Sequence, residues 1–69
     1  MVYFYSCFVA GNKDLRCYGV IEGDKIEKSD DFFELKKRVL DDAVIPKIRN
    51  YANLNVTAND IVFVAFNPL

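Results

Sequence analysis

The residues of this chain that could do chemistry are few, and histidine is not among them. Its absence removes the commonest general base and the commonest transition-metal ligand together. A nucleophilic cysteine needs a basic neighbour to lower its pKa, and Arg16, opposite Cys7, is the one candidate helper. Cys7 and Cys17 point to opposite strand faces in the register derived below, so both are expected as free structural thiols. Without histidine, a four-ligand zinc site is out of reach. Asp30, Asp31 and Glu34 could hold a hard cation, but no loop supplies the further oxygens that calcium needs. Acids gathered in the first turn of a helix explain them with less. The stretch GVIEGDK at 19–25 has the wrong glycine spacing for a phosphate loop, Asp24 intrudes before Lys25, and no Ser or Thr follows the lysine. It reads as a strand running into a turn. No catalytic residue, cofactor or metal site is assigned, and the chain is read as non-enzymatic.

Sixty-nine residues make one compact domain, close to the size at which a single core barely offsets the entropy of ordering the chain. Two cysteines and no secretion-signal pattern fit a reducing cytoplasm. The composition is 52% hydrophobic and 28% charged, with no long uncharged apolar run, so no membrane partner is expected. Nine basic against ten acidic residues give a net charge of −1. That balance lacks the basic footprint of phosphate-backbone binding and argues against nucleic acid as the partner.

The elements that position these residues follow from periodicity. VYFYSCFVA at 2–10 is a strand that is apolar on both faces, and Gly11 and Asn12 suit a tight hairpin. The second strand is LRCYGVIE at 15–22. A two-residue loop sets Phe8 across from Leu15, Ser6 from Cys17, Phe4 from Gly19 and Val2 from Ile21. A loop of odd length would instead drive Arg16 and Glu22 in among the apolar set. The segment 22–27 is either a bent continuation or a small ribbon. A helix opens at KSDDFFEL, capped by Ser29 or Asp30. Its apolar stripe is Phe32, Leu35, Val39 and Ala43, widened by Phe33, Leu40 and Val44, with Lys37, Arg38, Asp41 and Asp42 outside. Pro46 is expected to push Ile45 out of the helical region, so that the helix kinks or restarts, with Ile48, Tyr51 and Ala52 on one side. NLNVTAND is a loop, and DIVFVAF at 60–66 is a last strand, apolar on both faces.

The order ββαβ gives an α+β fold: a three-stranded antiparallel sheet, order 2-1-3, with one Pro-interrupted helix packed on one face. The helix is expected over Phe4, Phe8, Leu15 and Ile21. The uncovered face then carries Tyr3, Tyr5, Cys7, Val9, Arg16, Tyr18 and Val20, and these are the candidate protein interface. An exposed aromatic face of about 300 Å² or more usually serves contact, so a homodimer through that face, or a target docked on it, is expected. A single-stranded nucleic-acid binder that stacks bases on the same rings is the alternative. A small enzyme is the third reading.

The aromatic first strand VYFYSCF, the second strand CYGVIEG, the helix start KSDDFFEL and the closing strand IVFVAFNPL resemble, in layout, short accessory proteins encoded by bacteriophages and prophages. The resemblance implies a stoichiometric inhibitor of a host enzyme or defence protein that often self-associates. It carries no site residues.

Overall fold

A computed structural model describes residues 1–69. Strand β1 (Val2–Val9) turns through Ala10 and Gly11 into β2 (Asn12–Glu22). Gly11 has φ +83°, a left-handed conformation that a residue with a side chain adopts at a cost. Helix α1 (Ser29–Val39), a π turn (Leu40–Val44) and α2 (Ile45–Ala52) follow without a break, and a 3-10 turn (Ala58–Asp60) leads into β3 (Ile61–Pro68). The sheet is antiparallel in the order β2-β1-β3, with the helix packed on one face, the α+β layout read from the sequence.

The register differs from the expected one by a single residue. Phe4 pairs with Val20, Ser6 with Tyr18 and Phe8 with Arg16, while a bulge between Phe8 and Val9 brings Val9 across from Asn12. A bulge adds residues to one strand only, and each shift by one residue turns the strand's side chains to the other face. The faces of β2 therefore stand as expected, with Leu15, Cys17, Gly19 and Ile21 under the helix, whereas those of β1 exchange. Tyr3, Tyr5, Cys7 and Val9 face the helix, and Phe4 and Phe8 do not. A second bulge, between Ser6 and Cys7 on their β3 partners, keeps Phe63 and Phe66 both on the helix side. Their rings lie 5.9 Å apart, Phe32 meets Phe66 edge-on at 5.2 Å, and the Lys36 ammonium sits 5.4 Å from the centre of the Phe63 ring.

The N-cap of α1 is Lys28, one residue before the expected Ser29. The Asp31 carboxylate accepts the amides of Glu27 and Lys28, both at 3.2 Å, and so satisfies donors just ahead of the first turn. The ribbon considered for 22–27 does not form. Past Glu22 the chain is held instead by the Tyr3 hydroxyl, which donates to the Asp24 carbonyl at 2.9 Å and accepts the Ile26 amide at 3.1 Å. Arg38 also donates to the Glu22 carbonyl.

Pro46 does not expel Ile45 from the helix, contrary to expectation: Ile45 has φ −63° and ψ −49°. The preceding turn widens to a π turn, and the Ile45 amide donates to the carbonyl of Leu40, five residues back. Proline has no amide hydrogen to place in the ladder, and a local change of pitch just before it lets the helix continue. The extra residue also moves the apolar stripe. The buried positions run Leu35, Val39, Leu40, Val44, Ile45 and Ile48, with a step of five from Val39 to Val44. Ala43 is only half-buried, and Phe33 and Tyr51 are exposed rather than in the stripe. Asn53, left-handed at φ 55°, ends the helix. The Arg49 guanidinium then donates to the Val56 carbonyl and ties the buried Val56 back against α2.

Candidate interaction face

The covered face of the sheet is closed to any partner. Tyr3, Tyr5, Cys7 and Val9 are each at most 6% exposed. Four of the seven residues read as an interface are therefore core, and the one-residue register shift is the reason. Gly19 explains how Tyr5 fits there. A Cβ at position 19 would lie 2.8 Å from the Tyr5 hydroxyl oxygen, so the ring crosses β2 where that strand has no side chain.

Cys7 and Cys17 are direct partners across β1 and β2, both buried and both free thiols. They share the covered face, which corrects their expected opposition. The Cys7 thiol donates to the Cys17 carbonyl at 3.3 Å, and burial, reinforced by the neighbouring Cys17, pushes it up to about 11. A thiol so placed stays protonated at neutral pH, the reverse of what a nucleophile needs. Burial raises the Tyr5 hydroxyl in the same way. Arg16 lies across from Phe8, not Cys7, and its Nε donates to the Lys13 carbonyl at 2.9 Å.

The open face is built by all three strands. β1 contributes Val2, Phe4, Ser6 and Phe8, and β2 contributes Arg16, Tyr18, Val20 and Glu22, paired with them in register. Across the other edge of β1 stand Val62, Ala65 and Asn67, with Val64 at the bulge. Tyr18 is 72% exposed, Val64 62% and Val20 61%, while Phe4 and Phe8, flanked by neighbouring strands, are half-buried. Of the expected interface residues, Arg16, Tyr18 and Val20 lie on this face. Phe4, Phe8, Val62, Val64 and Glu22 were not among them. The signal that could have found them was Ser6, the one hydroxyl in an otherwise apolar row, which fits a wetted surface better than a core. At 150–250 Å² for a full aromatic side chain, the exposed part of this face comes to roughly 600 Å², a size at which an apolar patch on a monomer is commonly functional.

The other concavities hold about 200–390 Å³. A cleft of about 200 Å³ between β2 and α2 is lined by Leu15, Cys17, Ile48 and Tyr51 with Asp14, Arg16 and Lys47. It is smaller than the roughly 300–1,000 Å³ of ordinary small-molecule sites. The groove beside Asp31 and Glu34 is lined almost wholly by charged side chains, and the Asp31 carboxylate there is engaged by backbone amides. No helix is long and apolar enough to cross a membrane. Compared with protein-family models, with curated proteins and with solved structures, the chain finds no match in any of the three.

Proposed function

We propose that this chain is a small protein-binding module that works by stoichiometric association through the open face of its sheet. The observation that carries the reading is the pairing of an all-apolar covered face with a second face that exposes Tyr18, Val20, Val62 and Val64 and has no helix over it. Tyrosine with flanking aliphatic side chains supplies contact area at low entropic cost, as in the buried centres of protein interfaces. The resemblance in layout to short phage and prophage accessory proteins supports a bacterial host protein as the target to be blocked or redirected.

The test is capture from bacterial lysate by the tagged chain, with Val20→Arg as the comparison. Capture at fixed stoichiometry that is lost in Val20→Arg supports the reading, and capture indifferent to the substitution overturns it. A second reading, single-stranded nucleic-acid binding, draws on Tyr18 beside Arg16 and on Phe4 and Phe8 as a stacking platform. Glu22 on the same face and the net charge of −1 weigh against it. Fluorescence anisotropy of a labelled oligonucleotide separates the two, because nucleic-acid affinity falls steeply with salt.

A further inference from the structure

We infer that the open sheet face closes on a second copy of this chain, about a two-fold axis running across the strands near Tyr5 and Gly19, so that Arg16 of each copy stands over Glu22 of the other. The inference rests on the reading of that face as a protein-binding surface: a second copy occupies it in the free chain, and a host target takes the same face by displacing that copy.

The first argument is charge. Among the strand positions that the register places on the open face, Arg16 and Glu22 carry the only charges, of opposite sign, and Gly19 lies midway between them. An axis across the strands at Gly19 reverses strand direction and exchanges the two ends of β2. Each guanidinium then meets a carboxylate, and the pair occurs twice at the rim of the contact. Arg16 spends its Nε on the Lys13 carbonyl, which leaves its terminal nitrogens for the incoming carboxylate.

The second argument is shape. The same operation exchanges Tyr18 with Val20 and, on the paired strand, Phe4 with Ser6. Large side chains then face small ones, as interdigitating sheet faces require, and two twisted sheets packed this way cross at roughly 30°.

The third argument is area. Roughly 600 Å² from each copy gives about 1,200 Å² in all, the lower limit for a specific and stable interface. A chain in which 13 of 69 residues are buried has little stability to spare while that face remains wet. Face-to-face closure also differs from pairing along the free edge of β2, because it engages Val64 on the far strand.

Sedimentation equilibrium of the full chain at micromolar concentration tests this, with circular dichroism confirming that each variant is folded. The expected mass is twice 7.9 kDa. Val64→Arg should return it to the monomer. Arg16→Glu should weaken dimerisation at least about tenfold through like charges, and the double exchange Arg16→Glu with Glu22→Arg should restore it to within about threefold. A wild-type monomer at the highest soluble concentration overturns the inference. So does a Val64→Arg dimer, which would point to the β2 edge, and so does a double exchange that fails to restore pairing. If a monomeric wild type still captures a lysate protein through Val20, the second copy is ruled out while the binding reading stands; if it captures nothing, both fall.

Discussion

The two faces of β1 are nearly equal in hydrophobicity and opposite in fate. Tyr3, Tyr5, Cys7 and Val9 lie under the helix, while Val2, Phe4, Ser6 and Phe8 lie on the open side, and β1's apolar content would allow either assignment. The partner strand makes the choice. On β2 one alternation is Leu15, Cys17, Gly19 and Ile21, and the other carries Arg16 and Glu22, charges that the helix cannot cover without desolvating them. Once β2 has chosen its side, the bulge between Phe8 and Val9 sets which half of β1 goes with it. A strand's own pattern reports how apolar its two sides are, and its neighbour decides which side is inside.

The largest effect that would break this comparison is loss of the contrast in packing energy. Leu40→Ala empties a site on the covered side that is 6% exposed, and should cost about 2–5 kcal/mol. Val64→Thr on the open face should change stability by no more than about 0.5 kcal/mol in the unpaired chain. Urea unfolding at high dilution measures both, and equal losses would erase the distinction between the faces. A smaller effect sharpens it. Gly19→Ala places a methyl against the Tyr5 hydroxyl and should cost about 1–3 kcal/mol by overpacking. Adding Tyr5→Phe removes the nearest clashing atom, so a double-mutant cycle should show that part of the loss is recovered. A strictly additive pair would mean that Tyr5 does not cross β2 at Gly19.

The smallest effect is in pH. The folded chain holds the Cys7 thiol protonated up to about 11, against an ordinary value of 9.0, so across that interval the unfolded chain releases a proton that the folded chain keeps. Stability is fully present below the ordinary value and falls as the pH rises towards 11. Melting temperatures of the wild type should therefore decline more steeply above pH 9 than those of Cys7→Ala. Parallel slopes would place the thiol in water and Cys7 on the wrong face.

Much of the architecture was legible in the sequence because each signal for it was local. The strand order followed from ββαβ and short connections, the helix start from its acids, and the faces of β2 from an alternation that only one side could bury. The face of β1 was barely legible, because both of its alternations are apolar but for Ser6 and the deciding bulge leaves no mark in composition. The candidate interface inherited that error for Tyr3, Tyr5, Cys7 and Val9, whereas Arg16, Tyr18 and Val20 kept their side because β2 did. The helix failed at one point for a related reason. Pro46 signalled a disturbance, but a step of five between Val39 and Val44 reads as a π turn only once the chain is known to stay helical across it.

The strand order also bears on how the molecule comes together in time. β1 meets β2 through a tight turn, but it meets β3 through pairs such as Val9 with Ile61 and Tyr3 with Pro68, which span nearly the whole chain. Closing so long a loop costs entropy before any contact offsets it, so the hairpin and the helix form first and β3 is recruited last. Until then one edge of the central strand is bare, beside a sheet face that is itself apolar. The slowest stage of assembly is therefore also the one most exposed to pairing with the wrong strand.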